Sequence, residues 1–511
     1  MGCRSGSSDA DIVADGQRRP SGSDRLDCLA RSATNSAPLV VNLDGTLTPT
    51  DTLVESVLKL VKTRPLHALR LPFLWLRGRA EFTSFVTTHA SVSPTHLPYR
   101  DAFLAYLVEE KARGRRLVLA TGSHRDTAEA VAAHLQLFSR VLAFGGGRKL
   151  NGARKLEAIR ASIGDTFVYA GDSRADLPIW KWAEAAVVVD ASASVTRALS
   201  GQVRIERAFP GERAGIKVWL RALRVQQWLK NLLVFVPMLT AFSFGDPSMI
   251  LAMAVAFTSF CMTASATYIV NDVWDIDNDR VHPRKKYRPF ASARIPALRG
   301  LGVAACMLAV AFGLAAVLPP AFLIVLFSYL VITSLYTWLL KRMVLLDVVA
   351  LSLLYTLRIV AGAVAIGVVV SHWLLAFSVF IFFSLSLVKR CSELVSAGAI
   401  GQNGSPGRSY RTGDLAVLWP LGVGASLCAL VIFGLFISAE ETQFRYGTPE
   451  LLWIAAVVLL YWLSRLWIVS SRGEMHDDPL VFAVRDLNSR ITIAAMIGIT
   501  LIARFVVMDL A

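Results

Sequence analysis

Residues 271–289 read Asn-Asp-Val-Trp-Asp-Ile-Asp-Asn-Asp-Arg-Val-His-Pro-Arg-Lys-Lys-Tyr-Arg-Pro, an acidic run followed at once by a basic one. They follow an apolar stretch, residues 248 to 270, long enough to cross about 30 Å of hydrocarbon as a helix. Asn271, Asp275 and Asp279 are spaced by four, so on a continuing helix they share one face. Three oxygen-bearing side chains on one face suit a hard cation such as Mg2+. Lys285, Lys286 and Arg288 follow, and cations in that position can hold phosphate. The bland alternative is a charged connecting loop. Carboxylates in register at a membrane edge are costly without a cation, which favours a site.

Working outward, the chain divides into two unlike halves. Its 511 residues and mean hydropathy of +0.50 exceed what one soluble domain carries. Residues 1 to about 225 are mixed and charged; beyond them nine candidate spans follow, at roughly 229–244, 248–270, 298–317, 321–340, 344–366, 373–388, 415–437, 451–469 and 491–508. With the N-terminus inside, the inner connecting segments hold 24 Lys and Arg against one, Arg445, outside. That asymmetry predicts a multi-pass protein with its N-terminal domain and sites on the cytoplasmic side, and the expected location is a bacterial-type inner (plasma) membrane.

The net charge of +15 gathers on this inner face, where anionic lipid and phosphorylated substrates are its partners; no nucleic-acid recognition module accompanies it. The six cysteines lack C-x-x-C spacing, which speaks against a zinc site or a disulfide framework. Residues 1–35 are Ser, Asp and Arg rich with no apolar signal region, and are expected to be disordered. Gly6 stands where an N-myristoylation signal takes Ser or Thr, so Met1-Gly2-Cys3 is not read as one.

In the first half, Pro38-Leu-Val-Val-Asn42-Leu-Asp44-Gly-Thr46, Leu117-Val-Leu-Ala-Thr121-Gly-Ser123 and Phe167-Val-Tyr-Ala-Gly171-Asp172 each read as a buried strand running into a loop. Alternation with helical stretches predicts a doubly wound α/β domain over 36–205, with a helical cap over about 48–114 and its site at the strand C-termini. A linker or interfacial helix (206–228) then leads to an all-α membrane domain over 229–511. Within the cap, residues 64–79 interleave cations with large apolar residues, as an interfacial segment does, although a packed cap helix broken at Pro72 reads equally well.

The pattern N-D-x-x-D-x-x-x-D followed by H-P-x-K-x-x-R-P resembles the first aspartate motif of the UbiA-type prenyltransferase superfamily. More narrowly it resembles the decaprenyl-phosphate phosphoribosyltransferase branch. The likeness runs from about Leu220 onward, through Gln227-Trp228-Leu229-Lys230-Asn231, Tyr336 with Lys341, Asp347 and Arg358. Where the aromatic-prenylating branch carries a second Asp-rich motif, this chain has Lys389-Arg390-Cys391-Ser392-Glu393, two cations in place of a carboxylate cluster. The resemblance implies that a polyprenyl phosphate attacks phosphoribosyl pyrophosphate, with Mg2+ as cofactor. Asn271, Asp275 and Asp279 would bind metal, and Tyr268, Lys285 and Arg288 the sugar phosphate or pyrophosphate. Lys230, Lys341, Arg358, Lys389 and Arg390 are the candidates for lipid phosphate. Arg358 also reads as a helix-end arginine snorkelling to the interface. Asp477 and Asp478, after His476, read as solvated loop charge and stay outside the site. An aromatic-acceptor prenyltransferase and a non-catalytic membrane scaffold are the rival readings, and a homo-oligomer is left open.

The first half resembles the haloacid-dehalogenase phosphatase superfamily, its D-x-D-G-T motif falling on Asn42 through Thr46. Thr121, Lys155 (with Lys149 as second choice), Asp172 and Asp176 match the later motifs. The resemblance makes Asp44, Asp172 and Asp176 metal-site residues, and Thr121 and Lys155 phosphate-binding. It makes position 42 the nucleophile, where the family carries Asp. An amide is a poor nucleophile and a poor Mg2+ ligand, so the domain is expected to be nearly inactive. Its expected substrate is the phosphomonoester that the membrane half would make.

Overall fold

The computed structural model describes residues 37–144, 152–211, 214–399, 401, 403–404, 408–475 and 478–506. The N-terminal tail with Met1-Gly2-Cys3, Lys149, His476 and Asp477 lie outside the described residues. The chain forms two compact units, Met1–Arg213 and Ala214–Ala511.

The soluble unit is built on six parallel strands, β1 (Leu39–Val41), β2 (Leu117–His124), β3 (Arg140–Phe144), β4 (Val168–Gly171), β5 (Ala185–Val189) and β6 (Arg204–Phe209), in the order β3-β2-β1-β4-β5-β6. Successive residues of a strand face opposite sides, so Leu39 and Val41 enter one core with Phe103 and Leu107, while Val40 enters the other with Tyr169 and Trp180. Both faces are covered, which is why the strands read as unbroken apolar runs. The unit ends beyond the expected boundary at 205 because Arg204–Phe209 pairs with β5 as an edge strand. The cap is narrower than the expected 48–114. Helices Thr52–Thr63, Pro65–Ala68, Leu71–Arg77 and Arg79–His89 form it, whereas Asp101–Ala112 packs Phe103, Tyr106 and Leu107 against the sheet. The break expected at Pro72 falls just before it, between Pro65–Ala68 and Leu71–Arg77, and Pro72 sits in the first turn of the second helix, where its missing N–H costs nothing.

The membrane unit is all helical. Among the described residues eight helices are long and apolar enough to cross a bilayer: Pro247–Trp274, Ala297–Ala315, Pro320–Trp338, Leu346–Ile366, His372–Ala399, Thr412–Ser438, Pro449–Ser471 and Leu487–Phe505. They leave large apolar side chains such as Ile324, Val431 and Val457 exposed, as lipid-facing helices do. The remaining expected span, 229–244, is present in another form, a 3-10 run over Val225–Phe235 followed by the short helix Val236–Thr240. At about 2.0 Å per residue, then about 1.5 Å, the two pieces rise roughly 30 Å, so the stretch keeps its reach without being a regular α-helix. Trp228 Nε1 donates to Ser265 Oγ at 2.9 Å and Asn231 Nδ2 to Cys261 Sγ at 3.3 Å, tying the run to the first spanning helix.

Candidate functional site

The acidic stretch is bent where a continuing helix was expected. Pro247–Trp274 stops at Asp275 (φ −91°, ψ 9°), and a second helix resumes at Ile276–Val281. The i to i+4 bonds survive the bend: Asp275 N–H donates to Asn271 O at 2.9 Å and Asp279 N–H to Asp275 O at 2.8 Å. The side chains part company. Asp279 is buried and accepts from Arg288 Nη1 at 2.7 Å, while Asp275 is partly exposed and meets Lys341 Nζ at 3.3 Å. Asp272, which the sequence reading passed over, joins Asp279 through Arg288 at 3.3 Å and meets Arg224 at 2.5 Å. A spacing of seven, two helical turns, was the available signal for that pair.

Around this stretch three carboxylates, Asp272, Asp275 and Asp279, face three cations, Arg224, Arg288 and Lys341. Arg224 holds a left-handed backbone (φ 50°) and stacks over the Tyr268 ring at 4.9 Å, which brings Tyr268 to the edge of the cluster. Lys285 and Lys286 are exposed on the following turn. Among the described residues no three His, Cys, Asp or Glu side chains gather into a ready-made metal cage. Asn271 and Asp275, one turn apart, fit Mg2+ in a different way, because that ion is commonly held by one or two protein oxygens plus water and substrate phosphate.

A second cationic cluster lies six residues along from Arg224, about 12 Å of 3-10 rise. Lys230 Nζ meets Asp478 Oδ2 at 2.7 Å, and Lys389 Nζ meets the same oxygen at 3.0 Å. Asp478 was expected to be solvated loop charge; instead its side chain is only 9% exposed and lies between two lysines. Burial alone would raise its pKa, yet Lys389 and Lys230 hold it below the usual carboxylate range. No sequence signal joins residues 230, 389 and 478. Arg358 is no snorkelling helix end either. It is buried, donating to Asn231 Oδ1 at 2.9 Å, Tyr329 Oη at 3.0 Å and Leu354 O at 2.5 Å. Arg390 departs from the substrate-binding expectation: it is wholly buried, pairs with Asp347 at 3.1 Å and with Glu393, and so presents no surface to a ligand. Tyr410 and Arg408 complete that network on Asp347.

In the soluble unit, β1 has neighbours on both sides, β2 and β4, and the crevice at their C-terminal ends gathers Asn42, Asp44, Thr121, Lys155, Asp172 and Asp176. Gly45 (φ +81°) allows the loop to close, since a Cβ there would stand 2.3 Å from Asp172 Oδ2. Asn42 Nδ2 donates to Asp44 O at 2.8 Å, Thr46 Oγ1 at 3.2 Å and Asp172 Oδ1 at 3.3 Å, and its Oδ1 accepts from Lys155 Nζ at 3.1 Å. The amide nitrogen therefore satisfies the oxygens a divalent cation would need, so these residues do not fit a metal here. Asp176 is engaged elsewhere, with Tyr169 Oη, the Ser173 hydroxyl and the Asp172 and Ser173 amides. Asp44 accepts from Thr52 N at 3.0 Å and from the Ser123 hydroxyl. Burial pushes Asp44 and Asp172 each up to about 6.

Family models for the UbiA prenyltransferase family and for haloacid dehalogenase-like hydrolases match residues 232–488 and 39–181. Uncharacterized protein y4nM of Sinorhizobium fredii is 37% identical over 91% of this chain and 90% of its own. A decaprenyl-phosphate phosphoribosyltransferase of Mycobacterium tuberculosis is 30% identical over 52% of this chain and 87% of its own. The structure of a UbiA homologue from Archaeoglobus fulgidus bound to GPP and Mg2+ is 16% identical, covers 55% of this chain and 99% of that one, and gives a TM-score of 0.42.

Proposed function

The chain belongs to the UbiA prenyltransferase family and carries an N-terminal haloacid dehalogenase-like domain, and from that premise we propose that it transfers 5-phosphoribosyl from phosphoribosyl pyrophosphate to a polyprenyl monophosphate. The observation that carries this reading is the pairing of two unlike clusters. One balances three carboxylates with three cations; the other sets Lys230 and Lys389 against Asp478 alone and so has cationic charge to spare. The first suits a metal-bound diphosphate, the second a lipid monophosphate. The relatives named decaprenyl-phosphate phosphoribosyltransferase support the choice of acceptor.

In this mechanism a lipid phosphate oxygen bonds to the anomeric carbon as the bond to pyrophosphate breaks, and pyrophosphate leaves. The nucleophile is already ionised, so positioning and charge stabilisation replace a general base. Lys230 and Lys389 hold the attacking phosphate, and Asp478 fixes where those two ammonium groups stand. Arg288, Lys341 and Tyr268 hold the departing pyrophosphate and the sugar phosphate, with Lys285 at the entrance. Asp279 and Asp272 anchor Arg288. Asn271 and Asp275 would hold Mg2+, whose charge would offset that of the leaving group. The 24 to 1 bias of Lys and Arg supports a position on the cytoplasmic side of a bacterial plasma membrane for the N-terminal unit and for both clusters. The soluble unit binds the 5-phosphate of the product and, with Asn42 in place of a carboxylate nucleophile, does not hydrolyse it.

The test is direct. Full-length protein in nanodiscs, given polyprenyl monophosphate, Mg2+ and ribose-labelled phosphoribosyl pyrophosphate, is expected to yield labelled lipid. Asp275→Asn lowers turnover on the order of a hundredfold. Consumption of a prenyl diphosphate with no labelled lipid overturns the assignment in favour of an aromatic-acceptor prenyltransferase.

A further inference from the structure

The cap of the soluble unit presents a face that its own core does not use. Residues 64–79 contain no Asp or Glu and hold Arg64, Arg70, Arg77 and Arg79 among Leu, Phe and Trp. They fold as the helices Pro65–Ala68 and Leu71–Arg77 and the start of Arg79–His89. Leu71 and Leu74, three residues apart, turn inward against a small core of Leu60, Phe82 and Val86. The other side is left outward: Leu66 is 77% exposed, Leu69 69%, Phe73 71%, Trp75 60% and Leu76 84%, with Arg64, Arg70 and Arg77 exposed beside them. Trp75 also stands edge-on to Phe82 at 5.3 Å, so its ring is braced from within.

An apolar surface of this kind marks a partner, and its charge selects which one. A second copy of the same face would set Arg against Arg. An anionic bilayer surface satisfies both properties at once, with headgroup phosphates for the guanidinium groups and the acyl boundary for Leu, Phe and Trp. The chain is itself embedded in a bilayer, so such a surface is always at hand. We propose that Leu66, Leu69, Phe73, Trp75 and Leu76 dock the cap onto an anionic membrane surface. The next helix, Arg79–His89, contributes Ala80, Thr83 and Thr87 to the lining of the Asn42 pocket. The docked cap therefore links the headgroup layer to that pocket, and the ligand class it serves is a phosphomonoester carried on a lipid anchor. That last step rests on the phosphate reading of the pocket; the docking does not.

Hydrogen exchange by mass spectrometry on the full chain in nanodiscs tests it. In phosphatidylglycerol-containing discs, amides of residues 65–77 are expected to exchange about tenfold more slowly than in phosphatidylcholine discs, and raised salt should weaken the difference. The triple variant Phe73→Ser, Trp75→Ser, Leu76→Ser alters only exposed positions and should lose the protection. Equal exchange in both lipids overturns the proposal. So does protection that appears only in discs holding two chains, which would assign the face to a second copy. The readout needs no turnover: failure of ribosyl transfer leaves it standing, and lipid-independent exchange sinks it even where transfer is seen.

Discussion

Asn42 shows how much one amide can change. Its nitrogen donates into three oxygens, and an Asp in its place would set a carboxylate oxygen about where that donor stands, against Asp172 and the Asp44 carbonyl. Asn42→Asp is therefore expected to destabilise the metal-free soluble unit by about 1–3 kcal/mol, the usual cost of orphaning buried polar groups. Mg2+ should restore the loss in the variant and leave the parent unmoved; thermal unfolding with and without Mg2+ checks both. Phosphate release from the ribose 5-phosphate lipid by the Mg2+-loaded variant, and none from the parent, would support the phosphatase ancestry of the pocket. The same site has a pH signature. Burial raises Asp44 and Asp172 to about 6 in the folded state, whereas an unfolded Asp loses its proton near 3.8. The folded state thus holds more protons between about 3.8 and about 6, so the contribution of Asp44 and Asp172 to stability falls as pH rises from about 4 to about 6 and stays low above that. Asp44→Asn with Asp172→Asn should flatten that part of the melting profile. In the membrane unit, Lys389→Ala is expected to raise KM for the lipid phosphate about tenfold or more while leaving KM for the sugar donor in place, since one charge-assisted contact is lost on one substrate only. Steady-state kinetics with each substrate varied in turn separates the two.

At the scale of elements, the 3-10 run Val225–Phe235 is the piece that brings the two cationic clusters into one unit, with Arg224 at its start and Lys230 within it. It can lie close to the helix Leu346–Ile366 because Gly362 has no side chain: a Cβ there would stand 1.8 Å from Val234 O. Gly362→Ala should push the run off that helix and disturb Lys230 and Arg358 together. The expected result is lost lipid binding with the far-UV circular dichroism unchanged. The helices Leu346–Ile366 and His372–Ala399 are joined by Arg390 and Asp347, both fully buried. Removing one partner leaves the other charge without compensation, so Arg390→Met is expected to cost about 3–5 kcal/mol, and the double variant with Asp347→Leu clearly less than two such losses. Denaturation of the single and double variants in detergent measures the difference. The sequence pointed to Arg390 as a ligand-binding cation because it stands with Lys389 where a related branch carries a carboxylate cluster; adjacent residues on a helix face different directions, and only packing reveals which of them meets solvent.

At the scale of the whole molecule, the two compact units have separate cores, one around the parallel sheet and the other among the spanning helices. Separate cores are expected to unfold in separate transitions, so Asn42→Asp should move only the soluble unit's transition in a calorimetric scan. The sequence by itself determined the division into an α/β unit and a helical membrane unit, and the strands that lead into Asn42, carry Thr121 and lead into Asp172. These rest on periodicity, apolar run length and charge order, which are local properties of a chain. It did not disclose the bend at Asp275, the pairing of Asp272 with Arg224, the burial of Arg390, or Asp478 lying between Lys230 and Lys389. Residues 230 and 478 are 248 positions apart, and only the tertiary structure brings their charges into contact. Which carboxylate is free for a ligand depends on which cation the fold delivers to it, because a buried charge is tolerable only beside its opposite.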